Sequence, residues 1–270
     1  MSAQEGRRYY MTAAAILLAE LKRGLKNHLA YPIQAASEAI IVILIAIAVP
    51  SLIKGKTPWG VSGVIVEEPE KVVALVAVFV ALVGLQTVHR VVREESSLGT
   101  LEQLSLAPIG LPSLMVLRCA ADTVRMMPIV LIVAVIVTKG EQIGRVLVMM
   151  AATLLLMNTG MLGIGFFLGS LTLVAKRLGF IPNLASIALL PLALSPAGEL
   201  PRMVEVLASV LPFAHGVGLI GHVLQGSSAA QWAPGLFNLS VLSALWLTAG
   251  IQCFVIAERY AKDRGLLGRH

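Results

Sequence analysis

Residues 146–175 read VLVMMAATLLLMNTGMLGIGFFLGSLTLVA, thirty positions without a charged side chain, held between Arg145 and Lys176. As a helix this stretch is about 45 Å long, well beyond the roughly 20 residues that cross a bilayer. Core helices of soluble proteins seldom exceed about 14 apolar residues. Working outward, charge-free runs recur from Val72 to Val88, from Leu178 to Gly198 and from Gln231 to Ala257. The chain is 57% hydrophobic and 13% charged, with a mean hydropathy of +0.85, whereas ordinary soluble domains carry about 25% charge. A soluble core of this size has no room for so much apolar side chain. The expected class is an all-α integral membrane protein, because a helix satisfies its own backbone inside lipid.

Six transmembrane helices are expected near 35–53, 71–89, 118–138, 146–174, 178–195 and 234–257. An even number puts both termini on one side, and basic residues then set the orientation. Fourteen of the twenty-one Lys and Arg fall on the side of the termini, among them Arg7, Arg8, Lys22, Arg23, Arg90, Arg93, Arg118, Lys176, Arg177 and Arg259. Six fall on the other side, where six acidic residues cancel them, and Arg125 lies within a span. The formal charge of +6 therefore belongs to a cytoplasmic face that holds both termini. The bases are dispersed along loops and not gathered with aromatics on one surface, which disfavours nucleic acid as a partner.

Residues 1–34 are expected as a cytoplasmic region. Within it, 5–29 read as an amphipathic interface helix, with Ala14, Leu18, Leu21, Leu25 and Leu29 on one face and Glu20, Lys22, Arg23 and Lys26 opposite. Such a helix lies in the interface plane or packs on another cytoplasmic element. Arg7 and Arg8 before the apolar run 11–19 imitate a signal peptide, but charge returns at Glu20 without a cleavage site, and the segment is expected to be retained. Cys119 and Cys253 sit in separate apolar segments and read as packing residues.

Residues 93–108, REESSLGTLEQLSLAP, break the pattern of plain connectors. Gly99 permits a sharp turn, Thr100 suits an N-cap, and Gln103 three residues on completes a capping box. Glu102 favours the positive end of the new helix, and Pro108 stops it about two turns later. The expectation is a short, rigid helix with Leu101 and Leu104 exposed for docking.

Glu94, Glu95, Gly99-Thr100-Leu101-Glu102-Gln103-Leu104 and Pro108 resemble the E-x-x-x-G-T-L-E-x-L...P signature of type 2 ABC exporter permeases. Pro191, Ser195-Pro196, Leu200-Pro201 and Leu211-Pro212 resemble the proline-punctuated segment that these permeases carry before their last span, although many relatives have Ser-Gly where this chain has Ser195-Pro196. The resemblance covers essentially the whole chain. It implies that 93–108 is a coupling helix seated in a separate ABC ATPase subunit, with Glu94, Glu95, Gly99, Thr100, Leu101, Glu102, Gln103 and Leu104 as the contact. It also implies export, a second permease copy, most simply as a homodimer, and ATP and Mg in the partner subunit. No cofactor, metal or catalytic residue is expected in this chain. Its only Gly-Lys-Thr, residues 55–57, has Pro50 where a phosphate-binding loop needs glycine.

Residues 196–232 are too polar for a clean span, with Glu199, Arg202, Glu205, His215 and His222. They read as two short helices parted at Pro212, either a re-entrant hairpin closing the external end of a pathway or an amphipathic external hairpin. Span six (233–257) and a cytoplasmic tail (258–270) follow in one permease domain, of which residues 35–195 carry spans one to five. Within the spans, charges cost about 2.5 to 3.5 kcal/mol each, so Glu38, Asp122 and Arg125 call for explanations. Asp122 and Arg125 can pair at i, i+3. These three, with Pro196, Pro201, Pro212 and His215, are candidates for a pathway or gate. Asn158, Asn183 and Asn238 can join helices by hydrogen bonds, and Gly160, Gly163, Gly165 and Gly169 let helix backbones approach within one subunit.

The expected function is the membrane subunit of an ATP-driven exporter in the cell membrane, moving an amphipathic small molecule, drug or lipid. A polysaccharide or lipid-linked glycan is the alternative cargo, and 5% aromatic residues give little to grip sugar rings. The rivals are a proton-coupled transporter using Glu38 or Asp122 and a membrane-embedded lipid-modifying enzyme, which needs clustered acids or histidines.

Overall fold

The computed structural model describes Ala15, Ala19, Lys22 and residues 69–97, 99–100, 103–104, 110–137, 143–174, 180–181, 183–187, 202–224, 226 and 228–265. Six helices have defined bounds: α1 Pro69–Ser97, α2 Leu111–Val137, α3 Ile143–Val174, α4 Arg202–Val210, α5 Pro212–Leu224 and α6 Ala229–Asp263. No strand occurs among the described residues. Two helices, α3 and α6, are long and apolar enough to cross a membrane. The expected first span at 35–53 lies outside the described residues, and of the fifth only residues 180–181 and 183–187 are described, Phe180 in a turn and the others helical. Ala15, Ala19 and Lys22 are helical and exposed.

The helices overrun the apolar runs that announced them. α1 continues to Ser97 through His89-Arg90-Val91-Val92-Arg93-Glu94-Glu95, and α2 begins seven residues before Arg118. Charge does not end a helix, since Arg and Glu are good helix formers; it only ends the part that suits lipid. α6 likewise starts earlier than expected, at Ala229, where Gln231 Oε1 accepts from the Ser228 N–H at 3.0 Å in the manner of a capping box.

α3 lies at the centre and packs against α1 on one side and α6 on another, with α5 across its N-terminal half. Glycines bring these neighbours close. A Cβ at Gly163 would run into the backbone of Trp246 and Leu247, and one at Gly250 would strike the Gly163 carbonyl, so α3 and α6 cross backbone on backbone. On the other side, a Cβ at Gly165 would sit 2.7 Å from the Leu85 carbonyl oxygen, which brings α1 equally near. Close packing within one subunit is thus what the glycine row does. Two apolar clusters fill the remaining space. One gathers Val78, Leu85, Leu154, Met157, Phe213 and Ile220. The other gathers Val88, Val92, Leu111, Met115, Phe166 and Phe254, with the two phenyl rings edge to face at 5.4 Å.

Candidate functional site

The junction between α1 and α2 concentrates the polar chemistry. α1 ends in a Schellman turn: the Thr100 N–H donates to the Glu95 carbonyl at 3.0 Å and the Gly99 N–H to the Ser96 carbonyl at 3.2 Å. Gly99 has φ +70°, a left-handed conformation that side-chain-bearing residues rarely adopt. The turn that Gly99 permits therefore closes the preceding helix as well as opening the next. Thr100 then starts a new helical turn, its carbonyl accepting from the Leu104 N–H at 3.0 Å.

A clasp locks this geometry. The Thr100 hydroxyl donates to Glu95 Oε2 at 2.5 Å, while Arg118 Nη1 of α2 donates to Glu95 Oε1 at 2.5 Å. The Glu95 and Arg118 side chains are each only 14% exposed, so this ion pair is shielded from water, unlike an ordinary surface pair. Hydrogen bonds to charged partners contribute about 1.5 to 3 kcal/mol each. One carboxylate thus ties the end of α1, the turn after it and the start of α2 together.

This arrangement differs from the expected exposed peg. Glu94 and Gln103 are exposed, but Glu95 is turned inward. Leu104 is half-buried against the Val88, Leu111 and Phe254 cluster instead of standing free for a partner. The physical reason is the turn at Gly99, which folds the chain back so that the apolar side chain can bury within the molecule. Leu101, Glu102 and Pro108 lie outside the described residues.

Further along the helices, Asp122 accepts from Arg90 Nη2 at 3.3 Å. The expected partner, Arg125, lies on α2, its side chain outside the described set. Asn158 of α3 donates to the Thr123 hydroxyl at 2.7 Å, and that hydroxyl donates to the Cys119 carbonyl at 2.9 Å. Asn158 Oδ1 is buried without a protein partner, beside a small cavity bounded by Gly84, Thr87, Asp122 and Thr123. The cavity has room for about one water molecule. α1, α2 and α3 therefore share a chain of polar contacts inside an apolar bundle.

At the far end, α4 and α5 meet at Leu211 and Pro212, the expected pair of short helices. Pro212 is buried and packs on Gly160 of α3. His215 Nε2 donates to the Ser209 carbonyl at 2.8 Å, and the Trp246 indole N–H of α6 donates to the Val210 carbonyl at 2.8 Å. Both bonds satisfy carbonyls at the end of α4 that have no helical partner. Asn238 is exposed, and Asn183 borders a cleft beside α1. Glu38, Pro196 and Pro201 lie outside the described residues.

The structure brings Glu95, Gly99, Thr100 and Leu104 together, and it adds Arg118, Arg90 and Thr123, which sequence reasoning did not assign to a site. Arg118 and Arg90 entered only as markers of membrane orientation; their spacing from Asp122 and Glu95 across a connection was the signal available. Among the described residues no three of His, Cys, Asp or Glu converge as a metal site would need. Known family profiles and characterised proteins give no match to this chain.

Proposed function

We propose that this chain is the membrane-spanning subunit of an ATP-driven exporter of the type 2 ABC permease kind. α1, α2, α3 and α6 act as four of six spans, with the other two at 35–53 and 178–195, both termini cytoplasmic, and α4 and α5 as a re-entrant cap outside. Two copies enclose the route, and an ATPase subunit docks beneath each on the segment that follows Gly99. The cargo is an amphipathic small molecule, drug or lipid.

The observation that carries this reading is the clasp at the α1–α2 junction. A connection whose only task is to reverse direction needs a few flexible residues. Here the turn is capped, tied by Thr100 and Glu95 to α1, and tied through Arg118 to α2. A push on the 99–104 segment is therefore delivered to two helices at once, as coupling requires. The exposed Glu94 and Gln103 supply the contact, while Leu104 anchors the segment from behind.

Cysteine placed at Gln103 and cross-linked in native membranes tests the docking. The expected product joins the chain to a nucleotide-hydrolysing subunit at equal stoichiometry, and Gly99→Pro abolishes transport-coupled ATP hydrolysis while membrane insertion persists. Labelling of the cysteine from outside the cell, or full transport by Gly99→Pro, overturns the reading.

A further inference from the structure

α1 carries a polar face on which Arg93 is used by neither helix packing nor the proposed docking. Gln86, His89, Arg90, Arg93, Glu94 and Ser97 recur at helical spacing along one side, while Leu85, Val88 and Val92 are buried on the other. Opposite stands Asn183, on a helical piece joined to α1 where Gln86 Nε2 donates to Ser186 Oγ at 2.8 Å. Between them lies a cleft of about 530 Å³, within the usual range for a small-ligand site.

The hydrogen-bonding capacity of the cleft can be assigned atom by atom. The Ser97 hydroxyl donates to the Glu94 carbonyl at 2.7 Å, and Arg90 reaches out to Asp122. The Thr172 hydroxyl donates to the Leu168 carbonyl at 3.1 Å, so at 2.9 Å it accepts from His89 Nδ1–H. Neutral His89 then carries a bare lone pair on Nε2. Arg93 is exposed and makes no ion pair or hydrogen bond among the described residues, and the Asn183 amide makes no hydrogen bond there either. The wall thus offers a planar guanidinium and an amide as donors. Glu94 supplies a carboxylate on the next residue. A guanidinium fork matches two oxygens of a phosphate, and the adjacent carboxylate suits the hydroxyls or ammonium beyond it.

We infer that this cleft binds the phosphodiester headgroup of an amphiphile, with Arg93 and Asn183 on the phosphate and Glu94 on the polar group attached to it. The acyl chains stay in the bilayer, beside the point where α1 leaves its apolar run. This inference rests on the membrane reading of α1 and deepens the proposed cargo class, but it does not depend on the ATPase.

Binding of dioleoylphosphatidylglycerol and dioleoylphosphatidylethanolamine to the purified full chain in detergent tests it, followed by native mass spectrometry without any ATPase present. Arg93→Gln is expected to weaken both by at least tenfold, and Arg93→Lys by less. Arg259→Gln, at an exposed base of α6, leaves binding within twofold, and dioleoylglycerol, which lacks phosphate, binds at least tenfold more weakly. Thermal unfolding of Arg93→Gln at the wild-type temperature excludes misfolding as the cause. Equal losses in Arg93→Gln and Arg259→Gln, equal binding of dioleoylglycerol, or binding of inorganic phosphate as tight as that of the lipids overturns the inference. Because no nucleotide enters the measurement, failure of ATPase docking and failure of this site give different results.

Discussion

α3 and α6 are both long and strongly apolar, yet 56% of the most apolar stretch of α3 is buried inside the chain and only 22% of that of α6. What separates them is the minority of small and polar residues. α3 carries Gly160, Gly163, Gly165 and Gly169 together with the buried Thr153, Asn158, Ser170 and Thr172. α6 turns Phe237, Leu245 and Ile256 outward, each at least 60% exposed. In a bilayer, lipid tails are as apolar as leucine, so burying leucine between helices gains little and close backbone packing gains more. Apolar content says that a helix suits the membrane; small and polar residues say which helix is surrounded by protein.

The strongest way to break this comparison is at the backbone crossing. Gly163→Leu is expected to force α3 and α6 apart and to cost about 3 kcal/mol or more, measured by chemical unfolding in bicelles; a loss below about 1 kcal/mol would show that the crossing is not as close as drawn. Phe166→Ala, which removes a fully buried ring from between α1, α2 and α6, is expected to cost about 3 kcal/mol. Asn158→Ala is smaller, about 1 kcal/mol, and a double-mutant cycle with Thr123→Val should give a coupling near 0.6 kcal/mol. Smallest is Phe237→Ala on the exposed side of α6, expected within about 0.5 kcal/mol of wild type. If Phe237→Ala costs as much as Phe166→Ala, that side of α6 is covered by something other than lipid, and the contrast between the two helices fails.

Much of the helical layout is readable from charge-free runs alone, because nothing else hides so many apolar residues. The two short helices that meet at Pro212 were readable from proline and polarity. Helix ends were less so. Residues 90–97 extend α1 into polar sequence, where propensity continues but hydropathy stops, and 111–117 carry α2 back past the charge at Arg118.

The candidate site was only half legible. Gly99 and Thr100 announce a turn by their own conformational preferences, which are local. Partners are not local: a sequence displays Arg125 as an i, i+3 neighbour of Asp122 and hides residues on adjacent helices, such as Arg90, which reaches Asp122 across the bundle. Leu104 read as exposed because a short polar loop gives no hint of what lies behind it. The cluster it packs against draws on α6, which comes more than a hundred residues later.

The crossing of Gly163 with Gly250 also bears on how the molecule is made. α3 leaves the ribosome some fifty-five residues ahead of α6, so the side of α3 that carries Gly163 must wait, ungripped by Trp246 and Leu247, until α6 is made. A nascent chain stalled before Ala229 would display that unfinished groove to chaperones and proteases of the membrane. Arrival of α6 is then the event that completes the packing around α3.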